Sequence, residues 1–510
     1  MSAAPQIGDR RVPRPRPAAG TPRSQPGTPR SRPAAGAPRS RPAAAQPRLT
    51  PAEHADLGKA ARTPVPRRTQ ASFEPPADRP DPVSLLQQQA ATRIPGLVAI
   101  RYGRMLASPL AFFRGAALLM AADLAGTPST GLRVQSCGDA HLSNFGVFAS
   151  PERRLVFDIN DFDETLPGPW EWDVKRLATS LEVAARGNGC SGRHRREIVL
   201  AAVARYRRAM RRFAGMSDLD VWYAHAELDE LHPEYRSILA AGQRGLAASG
   251  RASARSRYTM QELRKLTHVV HGRPRIRSDP PLQVRLADLE QGQPGRAEFD
   301  AQLGDFLARY IRTLEPDRRF LLGHFEIADM ARRVAGIGSV GMRCWIVLLF
   351  GRDQGDPLFL QVKEAQPSVL SAFAGASAYA NSGERVVRGQ RLMQAASDIF
   401  LGWQRTGMGP AGQPSDFYVR QLRDWKFSID VESMTPGSLR VYGELCGWSL
   451  ARAHARSGDR IAIGAYLGGG AAFDHAVGEF AVAYADQNER DRQALQAAVA
   501  AGQVTARTGI

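Results

Sequence analysis

The stretch Cys137-Gly138-Asp139-Ala140-His141-Leu142-Ser143-Asn144, followed by an apolar run and then Asp158-Ile159-Asn160-Asp161-Phe162-Asp163, decides how the rest of this chain is read. Asp139 and Asn144 stand five positions apart. That is the offset of a phosphoryl-transfer loop, in which the Asp takes the acceptor's proton and the Asn binds Mg²⁺. Three carboxylates within six residues repel one another unless a cation or bases offset them, and Mg²⁺ would do so. Asp158 directly follows the apolar strand, whereas Asp161-Phe162-Asp163 has the form of an Asp-Phe-Gly metal turn, so Asp158 and Asp161 both stand as metal candidates. His141 is read as a histidine hydrogen-bonded inside the loop rather than as a ligand.

Around this loop the sequence predicts a helix at Pro109 to Leu124, a strand at Leu132 to Gln135 entering the loop, and a strand at Arg154 to Phe157 leaving it. Helices are expected from Trp172 to about Met216, from Pro233 to Ala240, and at Phe299 to Ile311; Ile327 to Arg333 also has helical composition. The basic stretch from about Ser249 to Arg285 reads as a solvated helix and loop. Trp170 and Trp172 read as packing residues, and His454 as a satisfied polar residue on a late helix.

A second constellation lies late in the chain. Gly336-Ile337-Gly338-Ser339-Val340-Gly341 feeds an apolar strand at Cys344 to Phe350, a hairpin turn follows, and Leu358 to Lys363 forms the next strand. Glycines at 336, 338 and 341, with Ser339 among them, let a backbone pass close to phosphate oxygens. Lys363 would then hold the α- and β-phosphates, provided a short strand precedes the glycines. A helix around Glu384 to Leu401 would present Glu384 to orient that ammonium. Asp416 to Leu422 is expected as a later strand of the same sheet, and Leu439 to Arg456 as a helix returning to the helical part.

The 510 residues are 43% hydrophobic, enough for two or three domains with a sizeable core. The net charge of +18 is concentrated at the start. Residues 1 to 70 hold 14 Lys and Arg against only Asp9, Glu53 and Asp56. Residues 1 to 80 are Pro, Ala and Arg rich and are expected to be a disordered basic tail, with weak polyanion contact as its possible function. The four scattered cysteines show no paired spacing for zinc or a redox dithiol, and with no apolar run of membrane length and no export signal the expectation is a cytoplasmic protein without membrane contact.

These motifs resemble a known family. Gly138 to Gly146, Phe157 to Glu164, Gly168 to Asp173, Gln361 to Ala365 and Ala451 to Asp459 are similar to the bacterial family catalogued as domain of unknown function 2252, from about residue 80 to the C-terminus. More distantly, the chain resembles the aminoglycoside phosphotransferase and choline kinase branch of the protein-kinase-like fold. That resemblance implies roles for Asp139, Asn144, Asp158 or Asp161, and for Asp173 as a brace of the catalytic loop. Cys137 stands where those enzymes usually carry His. The order is also reversed, with the catalytic loop ahead of the nucleotide loop, so the resemblance implies a circular permutation.

The expected fold is therefore α+β: a protein-kinase-like, two-lobed architecture in permuted order. A tail at 1–80 precedes a helical catalytic lobe at 81–325, a β-rich nucleotide lobe at 326–426 and a returning helical segment at 427–510. The expected function is an ATP- and Mg²⁺-dependent phosphotransferase acting on a hydroxyl or amine of a small molecule or protein. Asp139 and Lys363 are its catalytic pair. A nucleotide-binding pseudokinase and a metal-dependent hydrolase built on Asp139, His141 and the carboxylates are the rivals.

Overall fold

The computed structural model describes residues 49–227, 233, 235, 260, 263–289, 296–334, 336–406, 413–422 and 429–509. Residues 1–48, most of the Pro233 to Ala240 helix, and residues 249–259 and 261–262 of the basic stretch lie outside the described residues.

Residues 49–80, expected as part of the tail, are described and begin with a helix. Thr50 caps a helix at Pro51–Ala60 and forms a capping box with Glu53. This helix packs on a helix at Arg460–Leu467 so closely that a Cβ on Gly58 would stand 2.0 Å from the Ala462 carbonyl oxygen. Further on, Phe73 packs its ring at 4.8 Å from that of Tyr484, and Arg79 bridges the buried carboxylates of Asp123 and Asp491. Composition concealed this segment because its few apolar and charged anchors find partners some 400 residues away. Thr50→Ala should weaken the first helix by about 1 kcal/mol, read as faster hydrogen exchange of its amides.

The main core is helical. A helix at Trp170–Gly187 is buried along nearly its whole length, sheathed by helices at Gly192–Ala214, Pro436–Ser457 and Ala472–Ala500. Gly447 lets two of these touch, since a Cβ there would stand 2.4 Å from the Ala202 carbonyl oxygen. Trp170 is fully buried and stacked on Tyr206, the packing role expected. The helix expected at Pro109 to Leu124 is two, Pro109–Gly115 and Ala117–Ala125, broken at Ala116.

Four short strands wrap one end of this core: β1 (Arg133–Ser136), β2 (Phe145–Ala149), β3 (Leu155–Ile159) and β4 (Leu166–Pro169). β1 pairs with β4 and β2 with β3, both antiparallel. The loop Cys137–Asn144 thus leaves one ladder and enters the other.

A hairpin of β5 (Thr267–Val270) and β6 (Arg273–Ile276) follows, turning through His271 and Gly272, both at positive φ, as a tight two-residue hairpin requires. β7 (Gln283–Arg285), β8 (Glu326–Arg333), β9 (Cys344–Phe350), β10 (Pro357–Ala365), β11 (Gly402–Thr406) and β12 (Ser415–Gln421) build a six-stranded antiparallel sheet in the order β11-β12-β10-β9-β8-β7. Three expectations change here. Ile327 to Arg333 is strand, because its backbone pairs with β9 and sheet pairing outweighs the helical leaning of Ala and Met. The basic stretch, where described, contains three strands. The β-rich part therefore starts before residue 326: β7 joins its sheet, and Tyr310 on the helix Arg296–Arg312 packs into its core. β8 is the strand that the glycine turn needed ahead of it. Along β10, alternation sends Leu358, Leu360 and Val362 to the Tyr310 side and Phe359 and Lys363 to the other.

Candidate active site

The loop is held by the helix that follows β4. Asp173 in its first turn accepts the backbone N–H of Cys137 at 2.6 Å and of Gly138 at 2.9 Å. Three residues on, and so on the same helical face, Arg176 donates to Asp139 Oδ1 at 2.6 Å. Gly138 has φ +81°, and a Cβ on it would stand 2.3 Å from the Glu164 carbonyl oxygen, so only glycine fits where the loop passes the acidic segment. Asn144 closes the loop by donating Nδ2 to the Asp139 carbonyl at 2.9 Å.

Asp173 also faces His454 Nε2 at 3.2 Å, and His454 Nδ1 lies 2.9 Å from the Tyr206 hydroxyl. An imidazole therefore does support this loop, but it comes from the late helix rather than from position 137. His454 is fully buried and satisfied, as its sequence context suggested. Cys137, like the other three cysteines, is a buried free thiol.

His141 is buried 3.6 Å from Asp139 Oδ2. Burial is the main cause that lowers its pKa to about 4, with Arg114 and Arg176 acting in the same sense and Asp139 opposing. At neutral pH it carries no charge. Among the described residues no group of three His, Cys, Asp or Glu side chains is placed to hold a metal by itself.

The two metal candidates fare differently. Asp158 is buried, and both its oxygens accept from Arg452 Nη2 at 2.7 Å. In this structure the carboxylate is engaged in an internal ion pair. Asp161 lies beyond Asn160, whose N–H donates to the Asn144 carbonyl at 2.8 Å. Its side chain keeps 33% of its surface and stands 3.9 Å from Lys363 Nζ.

Lys363 reaches this segment from β10, between Cys344 of β9 and Tyr418 of β12. Its Nζ donates to Asp163 Oδ2 at 2.6 Å, a contact between residues 200 positions apart. Tyr418 donates its hydroxyl to the other Asp163 oxygen at 2.6 Å. Burial works against the charge on Lys363, but Asp161 and Asp163 outweigh it and raise its pKa, so it is an ammonium. Glu384 does not reach it. It sits in the first turn of a helix at Ser382–Met393 and faces Arg388. The buried face of that helix carries Arg385 instead, which donates to the carbonyls of Asp163, Thr165 and Gln366. Arg420 adds a bond to the Asn160 carbonyl at 3.1 Å. Sequence reasoning missed Arg176, Arg385, Arg420 and Arg452; only Arg176 left a signal, its spacing from Asp173.

The glycine turn lies over the helix Pro95–Leu106. Arg104 donates to the Gly336 carbonyl, Arg93 to that of Gly338, and the Ile94 N–H to that of Gly341. Gly336 and Gly341 have φ of +73° and +87°, and a Cβ on Gly341 would press on Arg93. Gly338 has neither reason to be glycine: a Cβ there would meet the Arg114 carbonyl oxygen only at an ordinary 3.7 Å. Ser339 accepts the Met342 N–H through its carbonyl, tightening the turn.

Glu164 lies between these parts, accepting the Val369 N–H at 2.7 Å. Burial is the main cause that pushes its pKa up to about 7, with the Val369 bond and Arg385 pulling it back. The folded protein thus holds a proton that the unfolded chain, with an ordinary value of 4.5, releases. Stability from this group is present below about pH 4.5 and is lost as pH rises toward 7. His141 acts oppositely, adding stability as pH rises from about 4 to 6.5. The stability of Glu164→Gln relative to the parent should therefore increase from pH 4.5 to 7, read from denaturant midpoints; a flat difference would exclude the raised value.

A family profile matches residues 93–498. The chain belongs to the bacterial family of domain of unknown function 2252. That family is described as an uncharacterised protein conserved in bacteria, and its match takes in the loop, the acidic segment, the glycine turn and Lys363. No curated protein and no solved structure matches the chain. No helix among the described residues is long and apolar enough to cross a membrane.

Proposed function

We propose that this member of the family is an ATP- and Mg²⁺-dependent phosphotransferase with a protein-kinase-like site assembled in permuted order. The observation that carries the reading is the 2.6 Å contact of Lys363 with Asp163, which joins two motifs that are meaningful together and weak apart. The order of parts supports it too: strand, glycine turn, strand, hairpin, lysine strand, helix.

Asp139 is the proton acceptor. Arg176 fixes its Oδ1 and orients the carboxylate, leaving Oδ2 to take the proton of an acceptor hydroxyl. As that oxygen bonds to the γ-phosphorus, the bond from phosphorus to the β-bridging oxygen breaks and ADP leaves. Lys363 aligns the α- and β-phosphates, and the glycine turn covers them, with Gly338 the point of closest backbone approach. Asp163 takes the orienting part expected of Glu384. Asn144 and Asp161 fit Mg²⁺, an ion commonly held by one or two protein oxygens together with substrate phosphates, whereas Asp158 is already neutralised by Arg452. When bound, the ion neutralises charge on the phosphate oxygens.

The test is Mg-ATP turnover by the full chain with mixed hydroxyl- and amine-bearing metabolites and with protein substrates. Phosphate transfer abolished by Asp139→Asn supports the reading; Mg-ATP binding without any turnover would leave a pseudokinase.

A further inference from the structure

We infer that Arg114 binds the terminal phosphate of the nucleotide, an inference that rests on the phosphotransferase reading. Arg114 ends the helix Pro109–Gly115, and its neighbours tie it to both halves of the site. The carbonyl of Phe113 accepts from Arg176 Nη2 at 3.0 Å, and the Phe113 ring lies 4.4 Å beneath the same guanidinium that holds Asp139. On the opposite side, the Arg114 carbonyl oxygen is the nearest atom to the space above Gly338, the glycine free of a conformational reason. Arg114 therefore stands between the phosphate cover and the proton acceptor. In a site of this kind, that is where the transferring group must lie.

Its side chain is short of partners. Nε is buried without a hydrogen-bond partner among the described residues. Asp139, Asp161 and Glu432 face it as charges but close no ion pair with it among the described residues. A part-buried guanidinium left in that state is costly unless an anion completes it. The phosphate fork is the geometry that arginine matches best, through paired N–H donors. An arginine supplied here by a helix ahead of the catalytic loop would stabilise charge on the γ-oxygens, as arginines do in other phosphoryl-transfer sites. Neither adjacent motif contains it.

The experiment compares the full chain with Arg114→Gln and Arg114→Lys by calorimetric titration of a non-hydrolysable ATP analogue and of ADP, both with Mg²⁺. Thermal unfolding serves as the control for folding. Arg114→Gln should weaken the triphosphate analogue about tenfold and ADP by less than about twofold. Arg114→Lys should fall between, since it keeps the charge and loses the fork. Equal losses for both nucleotides, or none, would overturn the assignment and leave the phosphotransferase reading standing. A parent chain that binds neither nucleotide would sink both.

Discussion

Lys363→Met is expected to lower Mg-ATP turnover by about a hundredfold or more, the scale of losing one charge-stabilising donor in a transition state. The methionine keeps the apolar stem on β10, so the sheet should survive. What goes is the ammonium that Asp163 and Asp161 hold at 2.6 and 3.9 Å, and with it the charge proposed to align the phosphates. Asp163 would retain the Tyr418 hydroxyl, which limits the structural damage. A metal-dependent hydrolase centred on Asp139 and His141 would keep its activity in this variant. Initial rates across ATP concentrations, with circular dichroism to confirm folding, separate the two; unchanged kcat would refute the role of Lys363.

The second large effect concerns stability. Arg452→Ala should destabilise the fold by roughly 3 to 5 kcal/mol, because it strands a buried carboxylate. Asp158 makes two 2.7 Å contacts with Arg452, which also donates to the Met393 carbonyl at 2.9 Å. This one side chain therefore fastens β3, the helix Ser382–Met393 and the helix Pro436–Ser457 together. The double variant Asp158→Asn with Arg452→Met should recover much of the loss, since replacing both charges removes the uncompensated one. Denaturant midpoints measure both. If Arg452→Ala unfolds no more readily than the parent, the Asp158 carboxylate does not depend on Arg452 to compensate its charge.

The two motifs were legible because each is local. The Asp139 to Asn144 offset and the alternation of β10 up to Lys363 are fixed by neighbours a few residues away. The strands expected at Leu132 to Gln135 and Arg154 to Phe157 were legible for the same reason, whereas β2, which leaves the loop directly, was not read as a strand. Ile327 to Arg333 was not, since Ala and Met there lean helical until β9 supplies a pairing edge. Glu384 failed for a related reason. Its acid pairs with the exposed Arg388 one turn on while the neighbouring Arg385 is buried, and nothing in the local pattern marks an arginine as the inward residue. The ordered segment from Leu49 to about residue 80 was hidden by composition, because order there comes from anchors such as Phe73 and Arg79.

By itself, then, the sequence determined the pieces: a braced loop with an acid and an amide at fixed spacing, an acidic turn, a glycine turn and a lysine-bearing strand. Only the tertiary structure decided which pieces meet. It brought Lys363 to Asp163, withdrew Asp158 into a pair with Arg452 and set Arg114 between the glycines and Asp139. The physical reason is range. Backbone propensity and side-chain alternation act over a few residues, whereas partners for buried charge are settled by packing across the whole chain.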